Sequence, residues 1–210
     1  MNDIAVKRTM QTATRKGKKL KYQIKSCNNS KNKTSQAHWR DNNKIHVTTV
    51  KELNVKSLRI SRAGFILYTV TNGRLFIGLG VDSRSHELTD FAGHVIYYIG
   101  ENVVNGALRE LKEETLEIFS TITTRDIENC LTLYNNDNLV IFMNVGIHPD
   151  IISQEFNDKY QEMAKTKPEV CAITWLTVDE FNDIIINKPG LLYERTENFL
   201  KSAGNFTHLL

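Results

Sequence analysis

The stretch that decides the fold is "GENVVNGALRELKEETLEIF", residues 100–119. Wound as a helix at about 100° per residue, it gathers Val104, Leu108, Leu111, Thr115 and Ile118 on one arc, the side expected to face a core. Glu110, Glu113, Glu114 and Glu117 fall on a second arc roughly 120° away. An ordinary solvated glutamate face interleaves Lys at i±4, because an opposite pair contributes about 0.2–0.5 kcal/mol and a like pair costs a similar amount. Here Glu110–Glu113, Glu110–Glu114, Glu113–Glu117 and Glu114–Glu117 are all like pairs. Arg109 is the one cation placed to reach them, at i+4 to Glu113, and Lys112 points elsewhere. Positive charge must come from outside the helix, and a divalent cation supplies it most economically. Carboxylate oxygens are hard ligands suited to Mg2+, Mn2+ or Ca2+. Acids spaced along a calcium-binding loop are lacking. Mg2+ keeps several positions for water and substrate phosphates, so the helix reads as a platform for metal-assisted phosphate chemistry.

Upstream of this helix, "RAGFILYTV" and "RLFIGLGV" are strand-like runs separated by "TNG", a hairpin signal because Asn and Gly tolerate positive φ. A polar loop, "DSRSHELTD", leads into the short run "FAGHVIYYIG". Downstream, "NCLTLY" and "LVIFMNVGI" flank "NNDN" as a second hairpin, and the polar connection "HPDIISQEFNDKYQEMAKTKP" has room for a helix. "EVCAITWL" is a strand. "TVDEFNDIII" is a helix whose Thr177 and Glu180 form a capping box, ended by "KPG". "LLYERTENFLKSA" reads as a last amphipathic helix. Neither G-x-G-x-x-G nor G-x-x-x-x-G-K-[ST] occurs, which argues against a dinucleotide-binding or P-loop fold.

The charge is divided. Residues 1–45 hold twelve Lys or Arg against Asp3 and Asp41, a net +10, while the rest of the chain carries −7. The basic segment is poor in apolar residues and cannot offset the entropy of ordering itself, so a flexible arm over 1–45 and a folded domain over 46–210 are expected. Such an arm is either a solvated tail or a means of attracting phosphate, in RNA or in an anionic substrate, and "TRKGKKLK" could equally serve as a nuclear address. The longest apolar runs fall far short of the roughly 20 residues that cross a bilayer, so no membrane partner is expected. Cys27, Cys130 and Cys171 are isolated and odd in number, which points to a reducing compartment and a cytoplasmic location. His38, His46, His86, His94, His148 and His208 show no paired metal spacing. Trp175 and Phe91 are expected in the core.

Glu101, followed after seven residues by "RELKEE", resembles the Nudix box, G-x5-E-x7-R-E-U-x-E-E-x-G-U with U aliphatic. Arg109, Glu110, Leu111, Glu113 and Glu114 fit it, and "TDFAGH" resembles the family's approach to the box. Two departures stand out. Seven residues rather than five separate Gly93 from Glu101, and Leu116 or Glu117 occupies the place of the box glycine. The resemblance covers roughly residues 58 to 190. It implies an α/β fold, an α/β/α sandwich around a mixed β-sheet, and a Mg2+- or Mn2+-dependent hydrolase acting on a nucleoside diphosphate linked to another moiety.

By the same resemblance Glu113 and Glu114 ligate the metal, with Glu110 a further ligand or a base and a backbone carbonyl of the Ala92–Gly93 turn completing the shell. Arg109 orients the acids, and Glu101 supports that network. Glu169, six residues before Trp175, is the expected late catalytic carboxylate, with Glu162 and Glu155 as weaker rivals. His94 would touch phosphate, and Tyr97 and Tyr98 would line the substrate mouth. The family also includes RNA-decapping enzymes, for which the basic arm would hold RNA, and non-catalytic modules that bind a nucleotide or a protein. The oligomeric state, a dimer included, is left open.

Overall fold

The structure is a computed structural model that describes residues 44–163 and 166–210. The expected basic arm lies, but for its last two residues, outside the described residues. Eight strands form one mixed sheet: β1 His46–Thr49, β2 Arg62–Thr71, β3 Arg74–Asp82, β4 Leu88–Thr89, β5 Phe91–His94, β6 Leu131–Tyr134, β7 Asn138–Asn144 and β8 Val170–Thr177. Among the described residues four α-helices accompany it: α1 Val103–Glu114, α2 Pro149–Met163, α3 Val178–Asn187 and α4 Glu194–Ala203. Both expected hairpins form. Thr71 pairs with Arg74 across a two-residue turn in which Asn72 and Gly73 take φ of 52° and 71°, the primed turn that matches strand twist.

The central strand β2 runs parallel to β7 and antiparallel to β3 and β5. Its near-continuous apolar run is explained by burial on both faces. Phe65 and Leu67 pack with Val104, Ala107 and Leu111 of α1 and with Ile152 and Phe156 of α2. Ile66, one residue out of phase, packs with Phe181 of α3 and Leu200 of α4 on the other face. The molecule is thus an α/β/α sandwich. Among the described residues no helix is long and apolar enough to cross a membrane.

A split in this sheet positions the site. The second half of β2, Leu67–Thr71, pairs with β3, but the first half, Arg62–Phe65, pairs with β5 instead. The far end of β3 pairs with β4. β4 and β5 therefore wedge between two diverging strands, with Asp90 at the point of the wedge. Gly64 is required there, because a Cβ on it would lie 2.1 Å from the Ala92 Cβ and 2.2 Å from the Phe91 carbonyl oxygen. The wedge carries Ala92, Gly93 and His94 up against α1.

Helix α1 begins where Asn102 accepts hydrogen bonds from the backbone N–H of Val104 and Asn105, both at 3.0 Å. It ends earlier than its hydrophobic arc predicts. Thr115 caps it by donating its hydroxyl to the Leu111 carbonyl, and Leu116 and Glu117 then take left-handed φ of 53° and 67°. Glu117 consequently leaves the acidic strip to which it was assigned and pairs with Lys112 at 3.3 Å in solvent. The strip is three glutamates long.

Candidate active site

Glu110, Glu113 and Glu114 lie on the last turns of α1 and face the tip of β5. Gly93 has no side chain to spare: a Cβ there would fall 2.2 Å from Glu110 Oε1, so glycine lets the helix close on the strand. Arg109 ties the group together. It donates to Glu101 Oε1 at 3.0 Å, Glu110 Oε1 at 2.7 Å, Glu113 Oε2 at 3.1 Å and the His94 carbonyl at 2.8 Å. Glu101 also accepts from the Ile96 amide at 2.7 Å, which pins the loop between β5 and α1 to the helix. Burial pulls the Arg109 pKa down, but the hydrogen bonds it donates to Glu101 and Glu110 prevail and raise it, so it stays a fixed cation.

The three acids differ in environment. Glu113 is exposed. Glu110 is half-buried, and that burial raises its carboxyl above the usual range despite the pull of Arg109, with the charges of Glu113 and Glu169 adding to the rise. Glu114 is pushed up furthest, first by burial and then by the negative charges of Asp90 and Glu110. Arg62 and the Ala92 backbone only partly oppose this. Its Oε2 is buried without a hydrogen-bond partner. A sealed, unpartnered carboxylate oxygen is costly unless something cationic meets it.

Glu169 reaches the same place from the other end of the chain. Its carbonyl accepts from Ser83 N–H at 2.7 Å, which fixes the start of β8 beside the irregular pairing at Val81 and Asp82. Together with Glu110, Glu113, Glu114, Gly93 and His94 it lines a cleft of about 540 Å³ closed on one side by Met163 and Pro168. Glu155 and Glu162 are exposed on α2 and do not line this cleft. The donor set is all hard oxygen and includes the orphaned Glu114 Oε2, so it fits a Mg2+- or Mn2+-like ion. Among the described residues no three acids or histidines converge as a ready-made cage, in keeping with Arg109 holding Glu110 and Glu113.

The two tyrosines are a correction. The Tyr97 hydroxyl donates to the Ile60 carbonyl and accepts from the Ile60 amide, both at 2.9 Å, and its ring packs against the core. Tyr98 is 90% exposed and lines neither cavity of the site. The long loop before Glu101 thus braces the fold through the Tyr97 hydroxyl and the backbone of Ile60.

Residues that the sequence did not announce surround Glu114. Arg62 is buried and makes a two-pronged ion pair with Asp90 at 2.7 and 2.8 Å, and Thr196 of α4 donates to Asp90 as well. Burial raises the Asp90 carboxyl, but Arg62 outweighs it and holds the group below its usual range. The Tyr193 ring lies against the Arg62 guanidinium at 5.7 Å. The one available signal was a charge at the head of a strand buried on both faces, which calls for a buried partner.

The fold and its acidic cleft thus define an α/β domain that resembles the Nudix superfamily. Solved Nudix proteins are similar to it. A Caenorhabditis elegans Ap4A hydrolase (C. elegans) is 21% identical over 69% of this chain and 96% of its own, with a TM-score of 0.37. The NUDIX domain of Shewanella oneidensis NrtR, complexed with ADP ribose, is 12% identical over 72% of this chain and 92% of its own, with a TM-score of 0.38. No family model and no curated protein matches the chain.

Proposed function

We propose that this chain is a Mg2+-dependent hydrolase of the Nudix type that cleaves the pyrophosphate linkage of a nucleoside diphosphate joined to a second moiety. One observation carries the reading: Glu114 Oε2 is buried without a partner beside Glu110 and Glu169, where its charge is only partly opposed by Arg62. Glu113 and Glu114 would hold the ion, with Glu110 as a further ligand or base and a carbonyl of the Ala92–Gly93 turn beside them. When bound, such an ion neutralises phosphate oxygens and lowers the pKa of an attacking water. Arg109 keeps Glu110 and Glu113 in place through hydrogen bonds that also tie down Glu101 and the His94 backbone. Glu110, its carboxyl drawn upward by burial, and Glu169 across the cleft are the two groups suited to take the proton of the attacking water.

The test is Mg2+-dependent product formation, followed by mass spectrometry across diadenosine polyphosphates, ADP-ribose, NADH, nucleoside triphosphates and capped RNA. Glu113→Gln and Glu114→Gln should each lower turnover by about 100-fold or more, since charge stabilisation by a metal contributes several kcal/mol. Activity within a few-fold of wild type in either variant would set the ligand assignment aside. The net +10 of residues 1–45 favours a second reading, an RNA-directed enzyme such as a decapping enzyme. Deleting residues 1–45 separates the two: unchanged RNA affinity and salt dependence would leave only the small-molecule reading.

A further inference from the structure

A second cavity, of about 270 Å³, adjoins the acidic cleft and shares Gly93, His94, Glu114 and Glu169 with it. Its opposite wall is cationic: Arg62, Tyr193 and Arg195 line it. The three guanidinia around the two cavities are not equivalent. Arg109 is engaged by Glu101, Glu110 and Glu113, and Arg62 by Asp90. Arg195, exposed at the start of α4, makes no hydrogen bond, ion pair or ring contact with any described residue. An unpaired guanidinium across a small cavity from a cluster of carboxylates is matched to a phosphate oxyanion that the acids alone would repel. The cavity is too small for a whole nucleoside together with its phosphates, but it suits a phosphoryl group.

We propose that Arg195 is a phosphate-positioning residue: it holds the phosphate of the substrate next to the one attacked, in the small cavity on the far side of Glu114. This rests on the phosphoanhydride reading above and adds a specificity-determining contact from the C-terminal helix. The neighbouring Arg62 shapes the wall of the cavity, because Asp90 fixes its guanidinium in place. Arg195 itself is free to move onto the ligand and form the two-pronged contact that phosphate oxygens accept.

Two readouts test the proposal on the full chain. The first is titration with inorganic pyrophosphate, with and without Mg2+, followed by calorimetry. The second is steady-state hydrolysis of whichever substrate the product screen reveals. Arg195→Ala should weaken pyrophosphate binding and raise KM by about 10-fold, while kcat stays within about 3-fold. Arg195→Lys should recover part of the affinity. Arg125→Ala, an exposed cation remote from both cavities, should change neither quantity. The proposal is overturned if Arg195→Ala binds pyrophosphate as wild type does, if Arg125→Ala loses as much, or if wild type binds no pyrophosphate. Because pyrophosphate binding is read without turnover, these failures are distinguishable from failure of the hydrolase reading, which the Glu114→Gln variant decides.

Discussion

Glu101 shows how much one carboxylate outside the acidic strip of α1 can matter. Its side chain is nearly buried, which raises its pKa, yet the Arg109 guanidinium and the Ile96 amide outweigh that and hold it below the usual carboxylate range. A carboxylate depressed in the folded state contributes stability that is present above its unfolded pKa and is lost as pH falls through the folded value. Glu101→Gln should therefore be less stable than wild type by about 2 kcal/mol at pH 7, the usual worth of hydrogen bonds to a charged group. Urea denaturation at a series of pH values should show this gap narrowing below about pH 4. A gap that persists unchanged to pH 3 would mean that the charge of Glu101 is not what matters. The grouping of Glu110, Glu113 and Glu114 on one face was legible because like charges at i, i+3 and i, i+4 have no cheap explanation. Asp90 was not legible: its partner Arg62 lies 28 residues earlier, and no periodicity links a polar loop to the head of a strand.

The end of α1 depends on two residues in an unfavourable backbone region. Leu116 is buried, but Glu117 is exposed with φ of 67°, where a Cβ costs about 1–2 kcal/mol relative to glycine. Its ion pair with Lys112 is solvated and is worth less than about 1 kcal/mol. Glu117→Gly should thus raise the melting temperature by about 2–4 °C without loss of activity, as read by calorimetry beside an activity assay. A lower melting temperature would show that the exposed pair outweighs the backbone strain. The sequence has no glycine at this spot, and Leu116 and Glu117 make the bend with left-handed φ. The helix nonetheless stops at Glu114, because Thr115 returns its hydroxyl to the Leu111 carbonyl. A hydrophobic arc that continues to Ile118 could not reveal that stop. The hairpins were easier to read, since Asn72 and Gly73 carry their turn chemistry locally.

Across the whole molecule, the split sheet is held by the buried group of Arg62, Asp90 and Thr196, which joins β2, the β4–β5 wedge and α4. Arg62→Met would leave Asp90 charged and buried, and should cost about 3–5 kcal/mol. Adding Asp90→Leu should restore much of that loss, because the double variant strands no charge. Urea midpoints of the single and double variants measure the difference, and equal destabilisation of both would show that the ion pair is not the clasp. The α/β/α layering was expected from the resemblance, and burial of β2 on both faces accounts for it, whereas the wedge arises from pairings between distinct strands that no local pattern records. A further asymmetry follows from where the walls of the two cavities come from. Three acids of the floor lie within one stretch from Glu110 to Glu114, but Glu169, Tyr193 and Arg195 arrive from the C-terminal third. Selection can therefore redraw the cationic rim without disturbing the floor. Proteins with the same floor are then free to differ in what the rim admits, so the helix alone is a poor guide to the ligand.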